Sequence, residues 1–267
     1  MVHAYHDIVP PPALRPYVQA VRVDRHADPA AAPCSCRILP DGGGHLLIQL
    51  YGEATPGTLD PETVRVSVVG PRSVYTDIDL RRRLLTVAVQ LRPGAAAALL
   101  GAPVADLADH AAPLSEITPA MADRLVRQVS RAASPMDAVD VVGDALQAMR
   151  RAAPRPAVRD GVAAAVAHVQ STRGRASVQD VADAVGWSTR HLRAVCAEAV
   201  GLPPKRLARI VRIRQAVRRL QVSGQSSLAT LALDSGFFDQ SHMTREFQAL
   251  LGEPPAAFVR RLRASAE

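Results

Sequence analysis

The chain has 267 residues, 48% of them hydrophobic and 21% charged, with a formal net charge of +7. This length and composition suit two soluble globular domains with buried cores better than one. No apolar run approaches the roughly 20 residues that a membrane-spanning helix needs, and the N-terminus lacks the basic start and apolar core of a signal peptide. The sequence therefore predicts a cytoplasmic protein with no membrane contact.

The three cysteines are Cys34, Cys36 and Cys196. They cannot form a disulfide framework, and a Cys-x-Cys spacing is poor geometry for a bridge between its own two members, which fits a reducing compartment. With Asp41 and His45, Cys34 and Cys36 form the one local cluster of ligand-type side chains, and such a pair before a Gly-rich turn suits a soft metal. Neither a four-ligand set nor a second pair is present, so we predict no metal and no other cofactor.

The first hundred residues carry the pattern of β-strands. The stretch RILPDGGGHLLIQLYGE, residues 37–53, predicts a strand, a turn and a second strand, and VRVSVVGP and RRRLLTVAVQLRPG predict further strands. The run of three glycines fits the turn, and neither a phosphate-binding glycine loop nor a Ser-His-Asp set stands out. The sequence therefore predicts a mostly β region at 1–100 and no enzyme.

Helical patterns follow at 101–151. PGAAAALLGAP predicts a short helix, and 119–151 two more, in which apolar residues recur at heptad-like spacing: Val139, Val142, Leu146 and Met149. Such a stripe packs on its own domain or forms the seam of a homodimer. We predict a homodimer.

Two prolines lie in the stretch MRRAAPRPAVRD, residues 149–160. Proline lacks the N–H that a helix needs and clashes with the preceding turn. We therefore predict a linker at 152–157 between an N-terminal domain at 1–151 and a C-terminal domain at 158–267.

Charge divides near the same point. Residues 1–156 hold 16 basic and 16 acidic residues, whereas residues 157–267 hold 16 basic and 9 acidic residues. All of the excess positive charge therefore lies in the C-terminal part. A basic surface arises either as a solvated face or as a site for a polyanion, most often nucleic acid.

The C-terminal part contains an internal repeat. The segments SVQDVADAVGWSTRHLRAVCAEAVGLPP, residues 177–204, and SLATLALDSGFFDQSHMTREFQALLGEPP, residues 227–255, follow one pattern. With one inserted residue, the copies match at Ser177/Ser227, Val181/Leu231, Ala182/Ala232, Gly186/Gly236, Trp187/Phe237, Leu192/Met243, Cys196/Phe247, Val200/Leu251 and Gly201/Gly252.

Each copy predicts a helix, a tight turn and a second helix. Ser177 and Ser188 are candidate N-caps in the first copy and Asp239 in the second, and a glycine suited to positive φ ends each first helix. This is the helix-turn-helix pattern, whose second helix can enter the DNA major groove. We predict units at 177–201 and 227–252, with the aromatic residue after each turn glycine in the core. On the second recognition helix, the side chains that face base edges and phosphates are Gln240, Ser241, His242, Thr244 and Arg245.

Between the copies, the stretch PPKRLARIVRIRQAVRRLQVSG contains no helix breaker between its prolines and its glycine. We predict one long helix at 204–222, a rigid spacer roughly 25 Å long. That size suits two recognition helices about 34 Å apart on one side of B-form DNA. The arginines along this helix are either a solvated face or phosphate contacts.

Three stretches, GWSTRHLRAVCAEAVGLPP, RLARIVRIRQAVRRL and GFFDQSHMTREFQALLGEPPAAFVRR, resemble the DNA-binding domain of AraC/XylS-type transcriptional regulators. The resemblance covers residues 160–263, and the third stretch is the most specific. It implies DNA contacts from Arg190 and Arg193 in the first unit, in addition to those of the second. Many relatives have an arginine where this chain has Ala194, which implies fewer contacts from the first recognition helix.

In related regulators the N-terminal part is a small β barrel that binds an effector and pairs subunits. The stretches ILPDGG and VQLRPGAAAALLG resemble a sensor type found before such DNA-binding domains. The resemblance implies an α+β chain, with a cupin-like β domain and trailing helices before an all-α domain of two helix-turn-helix units. It also implies promoter DNA, an unknown small-molecule effector, a second copy of the chain and RNA polymerase as partners.

Two alternatives remain beside the ligand-responsive regulator. One is a redox or metal sensor that uses Cys34 and Cys36, and the other is a constitutive DNA binder whose N-terminal domain only dimerises. A DNA-repair methyl acceptor with a four-cysteine zinc site, sometimes fused to this type of DNA-binding domain, is excluded by the cysteine count.

Overall fold

Strands and helices are segregated along the chain. A computed structural model describes residues 5–25, 35–55, 58–79, 83–102, 104–152, 157–223 and 227–264. Within these ranges the strands all end by Pro113, and only helices follow. None of the helices in these ranges is long and apolar enough to cross a membrane.

The strands form two antiparallel sheets. The larger has six strands in the order β1-β2-β7-β4-β5-β8, and the smaller pairs β3 with β6. The strands are β1 (Tyr5–Ile8), β2 (Val18–Arg25), β3 (Ser35–Ile38), β4 (His45–Thr55), β5 (Thr58–Val69), β6 (Thr76–Asp79), β7 (Arg83–Leu91) and β8 (Ala111–Pro113).

Residue alternation gives the large sheet two different faces. On one face, Ile48 of β4 lies opposite Val87 of β7, and both are fully buried. On the other face, Gln49 lies opposite Thr86, because successive side chains of a strand point to opposite sides. The apolar face forms the main core of the N-terminal domain.

The predicted mostly β domain with trailing helices is confirmed, but the described strands do not close into a small barrel. β1 and β8 each pair with one neighbour and form the two edges of an open sheet. Closure requires the edge strands to pair with each other. β8 has only three residues, too few to extend the ladder around a barrel.

Helices cover the apolar face of the large sheet. They are α1 (Ala95–Leu100), α2 (Leu114–Ile117), α3 (Pro119–Val129) and α4 (Pro135–Ala152). The heptad-like stripe Val139, Val142, Leu146 and Met149 lies on α4 and is buried in the same core as the strands. The stripe therefore packs on its own domain, and the observation that suggested a homodimer is explained within one chain.

Seven helices follow the residues 153–156 of the predicted linker, which lie outside the described ranges. They are α5 (Ala157–Ser171), α6 (Val178–Ala184), α7 (Thr189–Val200), α8 (Pro204–Ser223), α9 (Leu228–Asp234), α10 (Gln240–Leu251) and α11 (Pro255–Ala264). They enclose two separate cores. Leu207 and Ile210 of α8 belong to the first core, and Ile213 and Val217 of the same helix belong to the second.

Local signals fix the ends of the helices in both repeats. Ser177 and Asp180 form a reciprocal capping box, in which the Asp180 N–H donates to the Ser177 hydroxyl at 3.1 Å. The Ser188 hydroxyl accepts from His191 N–H at 3.2 Å and the Asp239 carboxylate accepts from His242 N–H at 2.6 Å. The three predicted N-caps are therefore confirmed.

Two helical glycines give opposite expectations for the same substitution. A Cβ added to Gly143 in α4 meets no atom within 4 Å, so Gly143→Ala should raise the unfolding free energy by about 0.5–1 kcal/mol through helix propensity. A Cβ added to Gly161 in α5 overlaps the ring of Trp187. Gly161→Ala should therefore lower the unfolding free energy, by about 1–3 kcal/mol from overpacking.

Urea unfolding checks both changes. Circular dichroism follows Gly143→Ala, and the fluorescence of Trp187, the single tryptophan of the chain, follows the helical domain in Gly161→Ala. A stabilised Gly161→Ala variant would contradict the packing of α5 against Trp187, the residue that follows the first turn glycine.

Candidate nucleic-acid interface

The first recognition helix, α7, buries one face and exposes the other. Leu192, Cys196 and Val200 lie in the first helical core. Arg190 and Arg193 are exposed on the opposite side. The two predicted contact residues of this helix therefore face solvent near its N-terminal end, where the helix macrodipole also favours an anion.

The second recognition helix, α10, repeats this arrangement with Met243 and Phe247 fully buried. Gln240, Ser241 and Arg245 are exposed. With Arg190 and Arg193 of α7, they form a set of five exposed polar side chains on the recognition helices.

His242 and Thr244, the other predicted contacts on α10, are half-buried. The Thr244 hydroxyl donates to the Gln240 carbonyl at 2.9 Å, within the helix. His242 Nδ1 accepts from the Phe238 N–H at 3.2 Å, and its ring meets the Phe237 ring edge-on with centroids 5.5 Å apart. His242 thus fixes the turn that leads into α10.

The aromatic residues after the turn glycines anchor the turns. Phe237 is 4% exposed, which confirms its predicted place in the core, and Trp187 is partly buried against the first helical core. Phe238, which is not among the predicted contacts, is 84% exposed one residue before the cap of α10. The adjacent phenylalanines in the sequence could have indicated the exposure of Phe238, since only one of two neighbouring rings can enter the core here.

Several arginines of α8 contact other groups of the same chain. Arg219 pairs with Asp234 of α9 at 2.9 Å, and Arg209 pairs with Glu246 of α10 at 2.8 Å. Arg214 lies 4.0 Å from Asp41 of the N-terminal domain, and burial lowers the pKa of its guanidinium. The guanidinium of Arg212 stands 5.9 Å from the centre of the Phe237 ring. These four arginines tie α8 to its neighbours.

One arginine joins the two repeats directly. Arg175, just before α6, donates from Nη2 to the carbonyls of Leu233 and Asp234, both at 3.0 Å. These carbonyls end α9, where a helix leaves acceptors without partners and carries a partial negative charge. The contact therefore links the first helix of one unit to that of the other.

The cysteines do not form a described metal site. Cys34 lies outside the described residues, and Cys36 lies in β3 opposite Ile78. Within the described ranges, no group of three His, Cys, Asp or Glu side chains is placed to hold a metal ion. Burial raises the pKa of the Cys196 thiol to about 11, so this thiol stays protonated as part of the core.

Asp41 and His45, the other members of that sequence cluster, belong to a buried polar network. Asp41 accepts from Gly43 N–H at 3.0 Å and from the side-chain amide of Gln90, and lies 3.3 Å from His45 Nε2. Burial lowers the pKa of His45 while the Asp41 carboxylate opposes that shift. The network lies where the large sheet approaches α8.

The second face of the large sheet carries a row of buried polar residues that we did not predict from the sequence. Thr86 and Gln90 of β7 are 8% and 4% exposed, with Ala88 between them on the same face. Within the described part of the chain, neither the Thr86 hydroxyl nor the Gln90 Oε1 has a hydrogen-bond partner. The alternation in LLTVAVQL was the available signal, because it places both residues on one side of the strand.

Two family models match separate parts of the chain. Residues 181–261 match a helix-turn-helix domain, and residues 6–113 match a domain of unknown function, DUF6597. No curated protein matches the chain.

Solved structures of ToxT from Vibrio cholerae are similar to this chain. One is 10% identical over 85% of this chain and 96% of its own, with a TM-score of 0.43. The apo form of a ToxT point variant is 13% identical over 90% of this chain and 96% of its own, with a TM-score of 0.43. ToxT with a bound unsaturated fatty acid is 12% identical over 90% and 93%, with a TM-score of 0.44.

The helix-turn-helix match falls on both repeats and on the helix that joins them. The match of the second family falls on the large sheet. Residues 181–261 are therefore a helix-turn-helix domain of the AraC type, and they follow an N-terminal part that matches the second family.

Proposed function

We propose that this protein regulates promoters by binding a specific operator through α7 and α10. The observation that carries the proposal is the exposure of polar side chains on the N-terminal halves of both recognition helices, which share one bridging helix. Two helices held on one bridging helix read successive major-groove faces of the same duplex.

Charge supports this assignment. Two of the α8 arginines, Arg209 and Arg219, already pair with carboxylates of the same chain, and Arg214 lies close to Asp41. The exposed arginines of the recognition helices, Arg190, Arg193 and Arg245, remain available. Arginine binds guanine in the major groove with paired hydrogen bonds and also binds phosphate.

The side chains of α10 take different roles in this proposal. Gln240 offers the paired donor and acceptor that suit adenine, while Arg245, one turn further along, reaches a base edge or the flanking phosphate. Ser241 lies beside Gln240 at the exposed start of the helix. Thr244 and His242 add contacts from the edge of the interface, since both are half-buried. Ala194 takes the place of an arginine in α7, so we propose that α10 contributes more binding free energy.

We also propose that the N-terminal domain binds a small polar effector on the second face of the large sheet. Buried polar groups in proteins are nearly always hydrogen-bonded, and an unpaired one costs about 1–3 kcal/mol. The Thr86 hydroxyl and Gln90 Oε1 are two such groups on one strand face, separated by the small side chain of Ala88. A ligand with hydroxyl or amide groups satisfies both.

The other candidates receive less support. The sensor based on Cys34 and Cys36 has no described ligand set, as stated above. A homodimer remains a prediction, because the α4 stripe that suggested it is buried within the chain. A contact with RNA polymerase also remains a prediction.

DNA binding by the full chain tests the main proposal. DNA selected from a random duplex library should bind with an affinity that falls steeply with salt, because each neutralised phosphate releases counterions. Arg190→Ala with Arg193→Ala should weaken binding, whereas Arg124→Ala, which removes an exposed arginine from α3, should not. A folded protein that enriches no DNA at low salt would refute the proposed function.

The two recognition helices should contribute unequally. If Arg245 reads a guanine, Arg245→Ala should cost about 1–3 kcal/mol and relax the preference at one base pair. If it holds a phosphate, affinity should fall on all sequences and the salt slope should drop by about one. Titration of Arg193→Ala and Arg245→Ala against one selected operator compares the helices. Greater damage from the Arg193 change, with both variants folded, would contradict the larger role of α10.

If Thr86 lines an effector site, removing its hydroxyl should stabilise the protein in the absence of ligand. Thr86→Val keeps the shape of the side chain and removes the unpaired hydroxyl, so the unfolding free energy without ligand should rise by about 1–3 kcal/mol. Thr63→Val, at an exposed position of β5, is the matched control and should change stability little. Thermal and urea unfolding measure both. A destabilised Thr86→Val would show that the hydroxyl is already satisfied and would remove this support for the site.

A further inference from the structure

Both recognition helices end at a glycine in the left-handed conformation, Gly201 with φ +76° and Gly252 with φ +74°. The two glycines occupy equivalent places in the two repeats. Both also lie against one short loop of the N-terminal domain, residues 70–75, which connects β5 to β6. One loop therefore contacts the ends of both recognition helices.

Pro71 contacts the end of α7. A Cβ on Gly201 would lie 2.7 Å from Pro71 Cγ, a separation that leaves room only for glycine. Beside it, the Val104 N–H donates to the Glu198 carbonyl in the last turn of α7 at 3.2 Å. The N-terminal domain thus satisfies an acceptor that the helix itself leaves open.

Tyr75 contacts the end of α10 in the same way. A Cβ on Gly252 would overlap the Tyr75 ring, and the Tyr75 N–H donates to the Leu250 carbonyl at 2.8 Å. The guanidinium of Arg37 lies 4.2 Å from the centre of the Tyr75 ring and donates to the Leu251 carbonyl at 3.4 Å. The end of α10 is held by two neighbouring donors of the N-terminal domain.

The middle of the loop is fixed on both sides. The Asp109 carboxylate accepts from the Ser73 N–H at 2.6 Å and from the Ser73 hydroxyl at 2.7 Å. The Ser73 hydroxyl in turn accepts from Arg206 Nη2, in the first turn of α8, at 2.9 Å. The loop therefore has a defined shape and touches α7, α8 and α10 at three successive points.

We infer that loop 70–75 is a brace that sets the separation and angle of the two recognition helices, and with them the operator spacing that the protein accepts. The second half of this inference rests on the proposed function. The two helical cores are distinct and share only α8, and the Arg175 contact joins the first helices of the two units, not their recognition helices. Twisting or bending of α8 therefore changes the position of α10 relative to α7. Fixing the ends of both helices on one loop removes that freedom before DNA binds, which favours one spacing over others.

A distance measurement without DNA tests the brace. Spin labels are attached to the full chain at Ala197→Cys in α7 and Ala249→Cys in α10, both exposed, with Cys34 and Cys36 changed to Ser. Cys196 stays, because its thiol is buried and protonated. The distance distribution should be narrow in the parent and broader or shifted in Tyr75→Ala, but unchanged in Tyr51→Ala, which removes the same ring from β4.

A second pair of variants keeps the test decisive if Tyr75→Ala does not fold. Gly252→Ala and Gly186→Ala both place alanine at a positive φ, but a Cβ at Gly186 meets open space whereas one at Gly252 meets Tyr75. Only Gly252→Ala should shift the interhelix distance. Unchanged distributions in Gly252→Ala and Tyr75→Ala would overturn the brace, whether or not the protein binds DNA.

Operator spacing provides the functional readout. One base pair is inserted between the two half-sites of the selected operator, and the loss of affinity is compared in the parent, Tyr75→Ala and Tyr51→Ala. The penalty should be about two- to thirtyfold smaller in Tyr75→Ala than in the other two. Equal penalties would overturn the role of the brace in spacing. Absence of DNA binding in the parent would instead refute the proposed function and leave the distance result standing.

Discussion

The packing of α8 into two cores is the constraint on which the C-terminal part depends. Leu207 and Ile210 of α8 complete the core of the first helix-turn-helix unit, and Ile213 and Val217 complete that of the second. Each unit alone is a short pair of helices with little apolar surface to bury. Because one helix supplies residues to both cores, the positions of the two recognition helices depend on each other.

The N-terminal domain also packs against α8. Asp41 faces Arg214, and a Cβ on Gly42 would lie 2.6 Å from Leu207 Cδ1, so the loop before β4 lies directly on α8. Contacts to the ends of α7 and α10 leave the starts of both helices free. The N-terminal domain therefore lies next to α7, α8 and α10 without covering the exposed side chains of the two recognition helices.

Much of the helical part could be predicted because its signals are local. The caps Ser177, Ser188 and Asp239 act on residues three positions away, and the buried faces of α7 and α10 follow the helical period. The repeat doubled this information. By contrast, the closed barrel was not found among the described strands, because strand pairing joins residues far apart in sequence and depends on the length of the edge strands. The polar row at Thr86 and Gln90 was missed for a related reason: alternation marks a face but not what covers it.

The sequence by itself determined that two helix-turn-helix units exist, where the exposed side chains of their recognition helices lie, and that the positive charge of the chain accompanies them. It did so because helix caps, turn glycines and apolar stripes are encoded within a few residues. Only the tertiary structure decided that Arg209 and Arg219 of α8 pair with carboxylates of the same chain, that the α4 stripe packs within its own domain, and that one loop holds the ends of both recognition helices. Those outcomes depend on which distant surfaces meet, and the free energy of such contacts arises only once the whole chain has folded.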